Sequence, residues 1–394
     1  MPIPRMLEPV AQKAARQYPV VTLTGPRQSG KTTLARMAFP HLEYISLEPL
    51  DRQQHVRSDP RGFLAEHRDG AILDEVQHVP ELLGYLQEEV DLRPDPGRFV
   101  LTGSQHFGLG NAIAQSLAGR TAVLNLLPPS LDELTRFPGA PSELFDVLWM
   151  GAYPRIHDRG IPADRWLADY VTTYVQRDVR QVLQVADISS FTTLLTLAAG
   201  RTAQELNLSG LGGDAGVSHN TARAWLSVLE AGFLCFRLTP WLPNLRKRLV
   251  KAPKLHFFDT GLVCHLLGIA SPAQLRTHPL RGAIFETWLA SELTKARWHR
   301  GQAAHMHHLR ETRGAEVDLV IERGTRVCLV EAKSGATLAT DMFSHLHVLT
   351  AALPEGAEPI LVHGGDGDRI GERQRVKVVP WRALHHVDWG DPAR

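Results

Sequence analysis

The sequence of 394 residues has few cysteines and no long apolar stretch. Its three cysteines, Cys235, Cys264 and Cys328, lie far apart and form no CxxC pair, which does not fit a zinc site or a disulfide framework. No run of about 18 apolar residues is present, so we expect no membrane span. The first residues, MPIPRMLEPVAQKAARQ, lack the apolar core of a signal peptide. We therefore expect a cytoplasmic protein.

The chain also lacks a large excess of charge of either sign. Its formal net charge is +1, so any surface that binds nucleic acid must be local. A hydrophobic content of 43% and a charged content of 22% are typical of a soluble globular protein. The length exceeds what one ordinary core holds, and we expect two or three domains.

What the sequence does contain is a glycine-rich turn between an apolar strand and a helix, in PVVTLTGPRQSGKTTLARMAF. Gly25 to Thr32 fits G-x-x-x-x-G-K-[ST] at every fixed position, which predicts a phosphate loop. Lys31 would neutralise the β- and γ-phosphates, and Thr32 would bind Mg²⁺ through its hydroxyl. The residues expected to contact the nucleotide are Gly25, Pro26, Arg27, Gln28, Ser29, Gly30, Lys31, Thr32 and Thr33.

Two acids end the later apolar run AILDE, at residues 71–75. In a parallel sheet this strand end lies beside the phosphate loop, because ligands bind at the carboxyl ends of such strands. Asp74 would then hold Mg²⁺ directly or through water, and Glu75 would deprotonate the attacking water. A solvated strand end is the simpler alternative when the acids are considered without the loop.

Two further residues have both a catalytic and a structural interpretation. Ser104, or Gln105 beside it, at the end of the strand RFVLTGSQ, would sense the γ-phosphate or hold the water; alternatively Ser104 would cap a helix. Arg120, just before a fifth strand, would act as an arginine finger, in a neighbouring subunit if the chain is a homo-oligomer, or would form a salt bridge.

Residues 191–258 have the element order of a winged helix-turn-helix. FTTLLTLAAG, TAQELNL and GVSHNTARAWLSVLEAGFL suit three helices, with Ser218 as the N-cap of the third, and FLCFRLTPW and KLHFFD suit strands. The apolar face of the third helix comprises Ala222, Trp225, Leu226 and Leu229.

The same segment has the charge pattern of a nucleic-acid surface. Residues 237–254 hold six basic residues and no acids: Arg237, Arg246, Lys247, Arg248, Lys251 and Lys254. On a wing they would neutralise phosphates, while His219, Asn220 and Arg223 at the start of the third helix would contact DNA. A contact domain that packs on protein is the alternative.

Near the C-terminus a helix with Glu286 precedes a hairpin that carries Asp318, Glu331 and Lys333. Strand alternation places Glu331 and Lys333 on one face. The three carboxylates would bind Mg²⁺, and Lys333 would stabilise the attacking water or the phosphate charge. A salt-bridged strand pair and a nuclease fold that no longer cleaves are the alternatives.

These motifs resemble known families along nearly the whole chain. TGPRQSGKTTL, LDEVQHVPEL and LTGSQ resemble the AAA-type P-loop ATPases of a bacterial and archaeal subgroup. TTYVQRDV, KAPKLHFFDTGL and GAEVDLVIE…VEAKSG resemble the domain of unknown function that follows such ATPases. The helix glutamate with D-x₁₂-E-x-K resembles a PD-(D/E)xK nuclease core.

The resemblance implies an α/β architecture. It begins with an AAA-type parallel sheet sandwich at 1–135 and a helical linker at 136–190. A winged helix-turn-helix at 191–258 and a restriction-endonuclease-like domain at 259–394 follow. We expect a protein that binds and hydrolyses ATP with Mg²⁺ and acts on DNA. A nucleotide-dependent regulatory or scaffold protein with a silent nuclease-like domain is the alternative.

Overall fold

The structure is a computed structural model in which residues 2–103, 115–174, 188–241, 252–311, 314–324, 326–353 and 357–390 are described. Its fold is mixed α/β, as the sequence predicts, with an N-terminal parallel sheet. Ser104, Gln105 and the basic residues Arg246, Lys247, Arg248 and Lys251 lie outside the described residues.

The N-terminal sheet has the strand order β2-β3-β4-β1-β5. Its strands are β1 Val20–Thr24, β2 Glu43–Ser46, β3 Ala71–Asp74, β4 Phe99–Thr102 and β5 Thr121–Asn125. Every neighbouring pair is parallel, so the carboxyl ends of all these strands lie at one edge of the sheet.

Helices cover both faces of this sheet. They are α1 Glu8–Ala15, α2 Lys31–Ala38, α3 Leu50–Ser58, α4 Pro60–Glu66 and α5 Leu82–Leu92, with a short 3₁₀ turn at Val76–His78. Strand residues alternate between the faces: Val21 and Ile72 pack with α1 and α2, whereas Val20 and Leu73 pack with α3, α4 and α5. Burial on both faces explains why these strands are continuous apolar runs.

The middle of the chain is helical and contains a small antiparallel sheet of order β6-β8-β7. The helices are α6 Leu131–Leu134, α7 Leu144–Met150, α8 Pro154–Arg159, α9 Ala163–Tyr174, α10 Ile188–Ala199, α11 Leu208–Asp214 and α12 His219–Ala231. The strands are β6 Gln204–Glu205, β7 Cys235–Leu238 and β8 Lys254–Phe257.

One of the helices predicted in this region is wrong. TAQELNL is not helical, because Gln204 and Glu205 pair with β8 and the helix begins only after the cap at Asn207. The first and third helices are confirmed, and the Ser218 hydroxyl accepts a hydrogen bond from the backbone N of Thr221 at 3.1 Å.

The C-terminal part forms a six-stranded mixed sheet of order β13-β14-β12-β11-β10-β9. The strands are β9 Met306–Arg310, β10 Glu316–Arg323, β11 Arg326–Lys333, β12 Ala357–His363, β13 Gly371–Arg373 and β14 Val376–Pro380. The helices are α13 Thr260–Leu266, α14 Pro272–Thr277, α15 Arg281–Trp298 and α16 Ser344–Ala352, with 3₁₀ turns at Thr340–Phe343 and Trp381–His386. The predicted hairpin is confirmed, since β10 and β11 pair antiparallel with Leu319 opposite Val330.

The middle and C-terminal parts share one hydrophobic core. A single cluster of buried side chains extends from Leu131 to Trp389 and includes residues of α12, β8, α15 and β11. The segments 136–190, 191–258 and 259–394, which the sequence analysis treats as separate, therefore pack together. Among the described residues, no helix is both long and apolar enough to cross a membrane.

Candidate nucleotide site and a buried acidic cluster

The phosphate loop follows β1 and lies against the end of β5. Gly25 has φ +147°, and a Cβ there would lie 2.2 Å from the carbonyl oxygen of Leu126. Gly30 has φ +98°, and Gln28 between them has φ +65°. Only glycine adopts the first two conformations without strain or clash, which explains the fixed glycines of the motif.

Lys31 at the start of α2 is buried inside this loop. Its ammonium donates to the carbonyl oxygens of Gly25 at 3.1 Å and Pro26 at 2.8 Å. Burial lowers the pKa of Lys31 to about 8, although Glu75 acts to raise it. The hydroxyl of Ser29 is also buried and has no hydrogen-bond partner among the described residues. An anion in the loop would give both groups a partner and offset the cost of burying them.

Asp74, at the end of β3, is buried and accepts several hydrogen bonds. The hydroxyl of Thr32 donates at 2.9 Å, that of Tyr44 at 2.8 Å, and that of Thr102 donates to the same carboxylate. Burial and Asp74 together raise the pKa of Tyr44 to about 12. Hydroxyl and carboxylate oxygens are the ligands that Mg²⁺ prefers, so Thr32 and Asp74 fit such an ion.

Glu75 follows Asp74 at the same edge of the sheet. It has φ +59°, a conformation that is strained for a side chain of this kind and is common at functional sites. Its backbone N–H donates to the hydroxyl of Thr102 at 3.4 Å, and the side-chain amide of Gln77 donates to its carboxylate. The carboxylate is half-buried, and its charge acts on the buried ammonium of Lys31.

A cavity of about 490 Å³ adjoins the end of the phosphate loop. Its volume lies in the range of small-ligand pockets, about 300–1,000 Å³. Its walls combine the N-terminal segment, the first turn of α2 and residues beyond β5, among them Ile3, Gly30, Leu34, Met37, Pro129 and Phe137.

Arg5 connects the phosphate loop to the segment after β5. Its guanidinium donates to the carbonyl oxygens of Ser29 at 2.9 Å and Leu127 at 2.8 Å. It also pairs with the fully buried carboxylate of Glu133, at 3.0 Å. Burial acts to raise the pKa of Glu133, but Arg5 and His299 hold it well below its ordinary value.

His299, directly after α15, completes this network from the C-terminal part. Its Nε2 accepts from the backbone N of Leu127 at 3.2 Å, and its Nδ1 lies 3.4 Å from the carboxylate of Glu133. On the last turns of α15, Lys295 donates to the carbonyl of Pro129 at 3.1 Å, and Glu292 accepts from the backbone N of Leu131 at 2.7 Å. The end of α15 therefore fixes the chain that leaves the nucleotide site.

Arg120 lies away from the phosphate loop. It precedes β5, at the amino ends of the parallel strands, about 16 Å along a five-residue strand from the carboxyl edge. Its guanidinium donates to both carboxylate oxygens of Asp91, at 2.5 and 2.7 Å. Within one chain, Arg120 therefore forms the salt bridge that was the structural alternative to a finger role.

The predicted basic wing is reduced by two of its members. Arg237 pairs with Glu230 at 2.6 Å, and Lys254 on β8 is buried against carboxylates of the C-terminal part, so Lys254 is not a nucleic-acid contact. At the start of α12, Asn220 and Arg223 are exposed as predicted, and His219 is half-buried.

The proposed C-terminal site residues Glu286, Asp318, Glu331 and Lys333 come together with Glu316 and Lys254 in one group, which we call the tail cluster. Lys254, Asp318 and Glu331 are buried, and the other three are half-buried. Lys333 contacts Glu331 at 2.5 Å, on the shared strand face that alternation predicts. The carboxylate of Asp318 accepts from the backbone N of Ala332 at 2.8 Å. Burial and the charge of Asp318 raise the pKa of Glu331 to about 8 and the pKa of Glu286 well above its ordinary value.

Lys254, which the sequence analysis assigned elsewhere, lies among these carboxylates. Its ammonium is 2.8 Å from Glu316, 2.9 Å from Glu286 and 3.8 Å from Asp318. Burial acts to lower its pKa, but the three carboxylates raise it. Within the described ranges, no group of three or more His, Cys, Asp or Glu side chains has the arrangement of a metal site. The residues of the tail cluster, as they stand, do not fit a metal ion.

Comparison with known proteins agrees with this geometry at the nucleotide site. The sequence profile of an AAA domain matches residues 17–135. Profiles of two domains of unknown function, DUF8612 and DUF4143, match residues 141–273 and 281–384. The N-terminal part is thus an AAA-type P-loop ATPase domain that binds nucleotide.

Curated relatives match most or part of the chain. It is 30% identical over 332 residues to the uncharacterized protein Rv2008c of Mycobacterium tuberculosis, covering 83% of this chain and 73% of that protein. The chain belongs to the family of that protein. A shorter relative, the UPF0102 protein BH12350 of Bartonella henselae, is 29% identical over 109 residues, 27% of this chain and 82% of its own.

Two of the solved structures that match the chain come from Pyrococcus abyssi and Aquifex aeolicus. The Walker-type ATPase of Pyrococcus abyssi has a TM-score of 0.41 and 16% identity, covering 66% of this chain and 94% of its own. AMPPCP-bound DnaA from Aquifex aeolicus has a TM-score of 0.30 and 13% identity, covering 57% and 85%.

Proposed function

We propose that this protein hydrolyses ATP with Mg²⁺ and acts on DNA through residues 191–258 and a nuclease-like C-terminal part. The observation that carries the ATPase proposal is the position of Asp74. Its carboxylate accepts a hydrogen bond from the hydroxyl of Thr32 at 2.9 Å, and Glu75 follows it in the chain. Lys31, Thr32 and both acids lie where the phosphate loop meets the carboxyl edge of the sheet.

The roles of these residues follow from their positions. The loop amides and Lys31 would bind the phosphates, and Thr32 and Asp74 would hold Mg²⁺, whose charge would offset the negative charge of the phosphate oxygens. Glu75 accepts the proton of the attacking water. The cavity beside Gly30 would hold the nucleoside, because its walls, which combine apolar and charged side chains, begin where the loop ends.

A homo-oligomer is compatible with the proposal. Arg120 of one copy would contribute to the site of another only after it leaves Asp91, with which it pairs through two hydrogen bonds. A finger role for Arg120 therefore predicts that ATP turnover depends on protein concentration.

The DNA proposal rests on α11, α12 and the strands β6 to β8, whose order is that of a winged helix-turn-helix. In such folds the second helix of the motif enters the major groove with its N-terminal residues. Asn220 and Arg223 at the start of α12 are exposed, and the apolar residues Ala222 and Trp225 of the same helix are buried.

Replacement of Arg223 by alanine tests this surface. We expect binding of a mixed-sequence duplex to weaken and the slope of log K against log salt to fall by about one, because one phosphate contact is lost. Fluorescence anisotropy across a salt series measures both quantities. Arg165→Ala, an exposed arginine on α9, is the matched control and should leave the slope unchanged. Equal effects of the two variants would contradict the assignment of α12.

A second candidate function is a nucleotide-dependent regulatory or scaffold protein whose nuclease-like part is silent. The position of Lys254 among the carboxylates favours it for the C-terminal part. Incubation of plasmid and linear DNA with Mg²⁺ or Mn²⁺ separates the two candidates. Cleavage that disappears in Asp318→Ala supports the nuclease, and intact DNA with every metal, together with retained DNA binding, supports the silent form.

A further inference from the structure

We propose that Lys254 serves as the built-in cation of the tail cluster and excludes divalent metal ions for as long as its ammonium remains there. This inference rests on the proposed nuclease-like function in one respect: that function is the reason to choose a divalent metal ion as the cation that competes with Lys254. It concerns what occupies the site and not whether the site cleaves DNA.

The first support is the number of carboxylates that converge on one ammonium. Lys254 on β8 contacts Glu286 of α15 at 2.9 Å and Glu316 of β10 at 2.8 Å, and Asp318 lies at 3.8 Å. The lysine side chain is 3% exposed, so water does not compete effectively for these contacts. Carboxylates that are largely withdrawn from water are stabilised by a cation close by, and this chain supplies its own.

The second support is that the ammonium and a metal ion need the same oxygen atoms. Mg²⁺ binds oxygen at about 2.0–2.1 Å. An ion at that distance from the facing oxygens of Glu286 and Asp318 would lie within a few ångströms of the ammonium. In a buried site the repulsion between the two cations is screened little. The two cations therefore exclude each other.

The third support is one oxygen atom that remains without a partner. One oxygen of Glu331 accepts from Lys333, but its Oε2 is buried and has no hydrogen-bond partner among the described residues. The charge of Asp318 acts on both Glu331 and Glu286, so removal of the Lys254 ammonium would leave three carboxylates that repel one another and lack this cation. Carboxylate oxygens are ligands that a divalent ion prefers, and such an ion would replace the missing charge once these side chains rearrange.

Titration of the nucleotide-free, full-length protein with Mn²⁺ tests the proposal, with free Mn²⁺ followed by electron paramagnetic resonance. In Lys254→Met we expect a new Mn²⁺ site that depends on Asp318. Its Kd should be at least tenfold lower than the Kd of any Asp318-dependent Mn²⁺ binding in the wild type. Lys254→Met combined with Asp318→Asn should lose the new site. Lys377→Met, which removes a lysine that pairs with Glu358 elsewhere in the same sheet, should behave as wild type.

Two results would overturn the proposal. One is a Mn²⁺ site that the wild type has and that Asp318→Asn lacks, a comparison that needs no variant at position 254. The other is a folded Lys254→Met, with unchanged circular dichroism, that gains no site. If Lys254→Met does not fold, Lys254→Gln replaces it with the same expectation. The assay contains neither DNA nor ATP, so failure of the proposed function would appear in turnover or DNA binding and not here.

Discussion

Lys31→Ala is expected to lower the affinity for ATP by about 10²–10⁴-fold, because two hydrogen bonds to charged phosphates at about 1.5–3 kcal/mol each are lost. The structure adds a second cause. The ammonium of Lys31 now satisfies the carbonyl oxygens of Gly25 and Pro26, which point into the loop. Without the ammonium, these oxygens would face the phosphates of the nucleotide directly.

Isothermal titration calorimetry with ATP and Mg²⁺ measures this loss. Lys13→Ala is the matched control, because Lys13 is an exposed lysine on α1 and lies outside the loop. Its affinity should equal that of the wild type. Unchanged affinity in Lys31→Ala would remove the phosphate-loop assignment, and with it the proposed ATPase.

Glu75→Gln is expected to separate binding from hydrolysis. Glutamine keeps the shape of the side chain and an oxygen that accepts from Gln77, so the turn after β3 should persist. It cannot take a proton from water, and loss of a general base costs about 10²–10⁴-fold in rate. ATP affinity should stay close to that of the wild type.

Single-turnover hydrolysis together with equilibrium binding checks both parts of this expectation. Glu81→Gln is the control, since Glu81 is exposed, pairs with Arg57 and lies one short turn further along the chain. It should hydrolyse ATP at the wild-type rate. Wild-type turnover in Glu75→Gln would refute the role of Glu75 as base, and loss of ATP binding would show a structural role.

The sequence predicts the secondary structure around the candidate nucleotide site where the signal is local. The strand, glycine turn and helix around Lys31 are consecutive, and the end of β3 is marked by Asp74 directly after an apolar run. Tyr44 and Thr102 could not be predicted, because their contacts with Asp74 depend on which strands lie side by side. The alignment of Ser46 with Asp74 shows that β2 and β3 end together, and no local motif encodes that register.

Lys254 shows a different limit. A count of basic residues over 237–254 treats all of them as one surface, but β8 is buried along its whole length. Glu286 is 32 residues further along the chain than Lys254, and Glu316 is further still. Their contact with Lys254 depends on how the middle and C-terminal parts pack, which no local pattern shows. The error over TAQELNL has a similar origin, since pairing of Gln204 with Leu255 outweighs local helix propensity.

The buried group of Arg5, Glu133 and His299 bears on how this protein can be divided. Its members come from the two ends of the ATPase part and from the end of α15, and the carboxylate of Glu133 is fully buried. A fragment that stops near residue 135 would keep Glu133 and lose His299, and would expose the segment that Glu292 and Lys295 hold. The ATPase part therefore cannot be combined freely with other C-terminal parts. Exchange of C-terminal parts between relatives should give a folded protein only when residues 127–133 and the last turns of α15 are transferred together.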